Sequence, residues 1–102
     1  MVKHVIIWKL KESVLNKAER AQEIKNALES LVGKIDGLEK MCILTDKLPS
    51  SSGDLMMDSL FTDNEALQNY QKHPLHQEIA NGLVRPNVDV RLSFDFEGSR
   101  LS

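Results

Sequence analysis

Titratable and proton-donating side chains are densest in one stretch, Asn69-Tyr70-Gln71-Lys72-His73-Pro74-Leu75-His76, which holds two of the three histidines and the only tyrosine. An imidazole with an ordinary pKa of about 6.5 exchanges protons near neutral pH, and a phenol is a hydrogen-bond donor, the two kinds of group that acid/base chemistry uses. Both groups must reach one face, and the local sequence offers a means. Pro74 has no amide hydrogen and biases His73 away from helical dihedrals, so a helix arriving through Tyr70 is expected to break near His73 and restart at Pro74. Such a break can turn Tyr70, His73 and His76 inward together. The same residues have plain structural uses: His73 as the cap of the second helix, His76 as a half-exposed side chain, Tyr70 as core packing with a satisfied hydroxyl.

The chain that must position this stretch has 102 residues, enough for one domain with a modest core, and a single domain over 1–102 is expected. A hydrophobic fraction of 41% and a charged fraction of 27% are ordinary for a globular protein and argue against disorder. A net charge of -2 gives no electrostatic reason to expect nucleic acid as partner. Lys3, Lys9 and Lys11 alternate along a strand and read as a solvated rim. The one cysteine, Cys42, excludes an internal disulfide and is expected as a small buried hydrophobe. The opening Met-Val-Lys-His-Val-Ile-Ile-Trp is too short in its apolar core for a signal peptide, and no run is long enough to cross a bilayer. A cytoplasmic protein is the expectation.

Taken in order, Val2 to Leu10 alternates, with Val2, His4, Ile6, Trp8 and Leu10 on one side and Lys3, Val5, Ile7 and Lys9 on the other. His4 on the more apolar side is either a satisfied core histidine or a polar group lining a pocket, beside Ile6 and Trp8. Ala21, Ile24, Leu28, Leu31 and Ile35 follow at steps of three and four and make an amphipathic helix that Gly33 and Gly37 stop. Leu38 to Leu44 reads as a second strand, with Leu38, Cys42 and Leu44 on one side and Met41 and Ile43 on the other. The segment Leu48 to Asp54 is a polar hairpin loop, and Leu55 to Phe61 is a third strand. Thr62-Asp63-Asn64-Glu65 offers an N-cap to the second helix, which Ala66, Leu67 and Tyr70 turn inward. After the break Leu75, Ile79 and Leu83 repeat at four, Gly82 marks the expected stop, and Arg85-Pro86-Asn87 is a turn. Val88 to Phe96 is the last strand and alternates most cleanly, apolar Val88, Val90, Leu92, Phe94, Phe96 against polar Asp89, Arg91, Ser93, Asp95.

Strand, helix, strand, strand, helix, strand is the split pattern of an α+β, ferredoxin-like βαββαβ fold: an antiparallel four-stranded sheet with its helices on one face. The other face would carry Val5, Ile7, Met41, Ile43, Met56 and Leu60, an apolar centre that a lone domain should not expose. Two copies packed through this sheet face, a homodimer, would cover it.

The sequence as a whole resembles the stress-responsive α/β-barrel domain family within the dimeric α/β-barrel superfamily. The resemblance rests on Val2-Lys3-His4-Val5-Ile6 through Lys9-Leu10-Lys11, on Glu65-Ala66-Leu67-Gln68-Asn69-Tyr70 with His73-Pro74-Leu75-His76, and on a last strand ending Asp95-Phe96. It implies a homodimeric α/β barrel with a small-molecule pocket between sheet and helices and no assigned reaction. One branch, typified by the plant olivetolic acid cyclase, closes a linear polyketide by aldol condensation without metal or organic cofactor. The resemblance to that branch implies a catalytic pair at His76 and Tyr70, with His4 in the pocket; Ile6, Trp8 and His73 are taken as substrate-binding neighbours. The ligand expected is small, apolar or carbonyl-containing. His4, His73 and His76 lack a carboxylate or cysteine at ligand spacing and Pro74 limits how two of them converge, so no metal is expected, and no other cofactor.

Overall fold

The computed structural model describes residues 1–98; the last four positions of the expected domain lie outside the described residues. The elements are β1 (Val2–Leu10), α1 (Lys17–Glu29), β2 (Leu38–Leu44), β3 (Leu55–Phe61), α2 (Asn64–Lys72), α3 (Pro74–Ile79) and β4 (Val88–Glu97). A π-helical turn over Ala80–Val84 and a 3-10 turn over Arg85–Asn87 join α3 to β4. The strands form one antiparallel sheet in the order β2-β3-β1-β4, and the helices pack on one of its faces, the ferredoxin-like α+β arrangement the sequence pattern predicts.

The α1 helix begins where Asn16 accepts a hydrogen bond from the Glu19 amide at 3.1 Å. It ends at Glu29, earlier than its apolar repeat, because Ser30 turns its hydroxyl back onto the Ala27 carbonyl at 2.6 Å and the chain then enters turns. Leu31 and Ile35 still reach the core from those turns. Gly37 has a φ of 86°, and a side chain there would collide with Ala66 of α2, so glycine serves both the turn and the close approach. Gly82 does not stop the helix after the break; the chain continues through it as the π-helical turn.

Under the helices lie His4, Ile6, Trp8 and Leu10 from β1, Leu55, Met57 and Phe61 from β3, and Ile24, Leu28, Leu67 and Tyr70 from above. In β2 the structure reverses the expected facing. The pairing with β3 slips by one residue between Leu38 and Lys40, so beyond that irregularity Met41 and Ile43 turn into the core and Cys42 and Leu44 turn out. A single-residue slip moves every later side chain to the other face, and nothing local in the sequence marks it. Cys42 is therefore exposed, and not buried as expected.

Alternation in β4 does not say which of its rows faces the helices; the register does. Val5 pairs with Phe94, Ile7 with Leu92 and Lys9 with Val90, which places the apolar row of β4 on the outer face. That face carries Val5, Ile7, Met56, Leu60, Leu44, Val90, Leu92 and Phe94, with Leu92 and Phe94 65% and 70% exposed. The polar row Arg91, Ser93 and Asp95 lies opposite Trp8, Ile6 and His4, on the helix side. No helix among the described residues is long and apolar enough to cross a membrane.

Candidate functional site

Asp63 starts α2 by accepting from the Ala66 amide at 2.8 Å, and the helix runs through Tyr70 to Lys72. His73 is then extended, with ψ 133°, as a residue before proline prefers, and Pro74 opens α3. In an unbroken helix the Leu75 amide would bond the Gln71 carbonyl. Here that amide is taken by His73 Nδ1 at 3.1 Å. The freed Gln71 carbonyl accepts from the Gln77 side-chain amide and from His76 Nδ1, the latter at 3.3 Å. A carbonyl can only accept, so Nδ1 of His76 carries the hydrogen and Nε2 holds the lone pair.

Tyr70 is 1% exposed and rests against Phe61, with ring centroids 5.0 Å apart. His76 lies over its other side at 4.2 Å and an interplanar angle of 38°. Among the described residues no group hydrogen-bonds the Tyr70 hydroxyl. Burial pushes that hydroxyl well above its ordinary pKa of 10.0, against a small opposing pull from the Arg91 charge, so it stays a donor. Burial also lowers the His76 pKa; the Gln71 carbonyl opposes this, while Arg85, His4 and Arg91 add to it.

His4 enters from β1 with its side chain 2% exposed. Its Nδ1 meets the Asp95 carboxylate on β4, and its own carbonyl is held by the Ser59 hydroxyl at 2.7 Å. The carboxylate fixes the hydrogen on Nδ1, and Nε2 has no partner among the described residues.

These groups border a cavity of about 630 Å³ between the sheet and the segment from α2 to β4. Ile6, Trp8, Leu28 and Met57 make it apolar; His4, Tyr70, His76, Gln71 and Gln77 supply polar groups; Arg85, Asp89 and Arg91 add charge. Trp8 is 4% exposed and still leaves this space open beside it. The volume is within the range of small-molecule sites. His4, Ile6, Trp8, Tyr70 and His76 thus share one cavity. His73 does not line it: its ring caps α3 from the outside, because the extended backbone that Pro74 imposes aims it at the Leu75 amide.

Asp95, Arg91, Arg85, Asp89, Gln71 and Gln77 belong to the site without having been singled out from the sequence. For Asp95 and Arg91 a signal was present: the polar row of β4, laid antiparallel on the β1 row that carries His4. Gln71 and Gln77 gave none. Among the described residues no cluster of three or more His, Cys, Asp or Glu side chains is placed to hold a metal ion.

The model of the stress responsive A/B barrel domain family matches residues 2–98. No curated protein matches the sequence. Among solved structures, the chain is similar to a dimeric protein of unknown function and ferredoxin-like fold from Bacteroides fragilis, with a TM-score of 0.85 and 26% identity over 94% of both chains. It is similar to a protein from Arabidopsis thaliana, with a TM-score of 0.80 and 25% identity over 95% of this chain and 94% of that one. A hydroxynitrile lyase from Passiflora edulis has a TM-score of 0.77 at 15% identity, over 93% and 90% of the two chains, a likeness of fold alone.

Proposed function

The chain belongs to the stress responsive A/B barrel domain family, and within it we propose a homodimer whose subunits each bind a small apolar or carbonyl-containing molecule in the cavity between sheet and helices. The observation that carries this reading is the His76 ring stacked on a buried Tyr70 whose hydroxyl lacks a protein partner, at the edge of an apolar space. That hydroxyl opens onto the cavity as an uncommitted donor, and a ligand carbonyl would accept from it. The dimer is supported by the outer sheet face, where Leu92 and Phe94 stand exposed beside Ile7 and Val90, and by the dimeric state named for the Bacteroides fragilis relative. A reducing, cytoplasmic setting belongs to the same reading and suits a lone unpaired cysteine.

A second reading, an acid/base enzyme of the cofactor-independent polyketide (aldol) cyclase type, is favoured by the protonation states. Burial keeps His76 neutral and Tyr70 protonated near neutral pH, the forms that a base and a hydrogen-bond donor require. Nε2 of His76 would take the proton from a carbon between two carbonyls, and the enolate oxygen would accept the Tyr70 hydrogen bond. The enolate carbon would then attack a distant carbonyl carbon of the same chain, and the new alkoxide would take the proton back from the imidazolium.

Thermal melting with linear 1,3-diketones, fatty acids and aromatic acids tests both readings on the wild type, His76→Ala and Tyr70→Phe. A ligand well above its Kd should raise the wild-type Tm by several degrees, and both variants should lose most of that shift. A panel without effect on the wild type removes the small-molecule reading. Conversion of a bound diketone to a cyclic product by the wild type alone selects the enzyme reading.

A further inference from the structure

We propose that Arg91 is the anion-binding residue of this cavity and that the ligand is a small carboxylate with an apolar body, an assignment that rests on the small-molecule reading above. On the polar row of β4 the inward side chains have different fates. Asp95 is engaged by His4. Arg91 sits opposite Trp8 at the cavity wall and makes no hydrogen bond or ion pair among the described residues. Asp89, two positions earlier on the same strand, lines the cavity as well but forms no ion pair with it.

Arg85, the other guanidinium at the wall, donates to the Asn81 side chain and has no carboxylate partner among the described residues. Two guanidinium charges therefore border the space with one uncommitted carboxylate. Both are close enough to disfavour a charged His76, and Arg91 also favours ionisation of Tyr70, so their field reaches the pair. An uncommitted guanidinium presents a planar fork of donors that matches a carboxylate. The floor of Ile6, Trp8, Leu28 and Met57 suits a hydrocarbon or aromatic body. A carboxylate held at Arg91 would leave the rest of the ligand over that floor, with Tyr70 and His76 within the same space.

Calorimetric titration with octanoate and with octanamide, which differ only in the charged end, tests this on the wild type, Arg91→Gln and Arg91→Lys. The wild type should bind octanoate at least about tenfold more tightly than octanamide. Arg91→Gln should lose that preference while binding octanamide as before, and Arg91→Lys should recover part of it. Arg91 is exposed on its strand, and an unchanged Tm for Arg91→Gln confirms that the fold is intact. Equal binding of acid and amide by the wild type, or a preference that survives Arg91→Gln, overturns the carboxylate assignment and leaves the pocket standing. Failure of both compounds to bind overturns the assignment and the pocket reading together.

Discussion

At the scale of single residues, the state of His76 follows from one backbone carbonyl and from burial. The Gln71 carbonyl settles the tautomer, and desolvation settles the charge. A histidine whose folded pKa lies below its ordinary 6.5 leaves the unfolded chain binding the extra proton as the pH falls. Stability from this group is therefore complete above pH 6.5 and is lost below it, down to the folded pKa. Urea denaturation of the wild type and His76→Ala from pH 7.5 to 5 should give a steeper loss for the wild type. Glu29 and Asp54, whose pKa values are lowered in the fold, release their contributions at more acid pH and are common to both proteins. Parallel curves would mean that His76 titrates as it does in the unfolded chain.

At the scale of elements, the break between α2 and α3 does more than redirect the chain. By diverting the Leu75 amide to His73, it frees the Gln71 carbonyl that orients His76, so His73 acts on the site through the backbone and not through the cavity. A different device serves the edge strand β2. The Ile43 amide donates to Glu29 of α1 at 2.9 Å, and Lys25 bridges Glu29 at 2.7 Å and the Ile43 carbonyl at 2.8 Å. Helix side chains thus satisfy polar groups that an edge otherwise offers to another chain. Burial alone would raise the Glu29 pKa, but the Ile43 amide and the Lys25 ammonium outweigh it and hold it low. Glu29→Ala should lower unfolding stability in urea by about 1–2 kcal/mol with an unchanged m-value, as for a lost amide partner. A change within about 0.5 kcal/mol would assign the tie no weight.

At the scale of the whole molecule, the sheet divides two tasks. Its helix side holds the cavity, and its outer side gathers Val5 and Ile7 of β1 with the apolar row of β4. Placing a charge among the exposed apolar side chains that β4 adds to that outer face should separate a homodimer without unfolding a subunit, since Phe94 is 70% exposed and contributes little to the core. Phe94→Glu is expected to sediment as a monomer with an unchanged circular dichroism spectrum, while the wild type sediments as a dimer at the same concentration. A monomeric wild type would remove the dimer from the proposal.

Short-range physics accounts for what could be read along the chain. Two-residue and three-to-four-residue periodicity gave the strands and helices, and the dihedral limits around His73-Pro74 gave the helix break. The inward row of β1 placed His4, Ile6 and Trp8 on one side. Tertiary structure decided which rows meet. The slip at Leu38 to Lys40 turned Met41 and Ile43 inward and exposed Cys42, and the pairing of β1 with β4 brought Asp95 to His4 across 91 positions and Arg91 to the cavity wall. Periodicity fixes the alternation of a strand but not its phase against a neighbour. That phase is set by the packing of the whole sheet against its helices, where one step of register exchanges the buried and exposed faces.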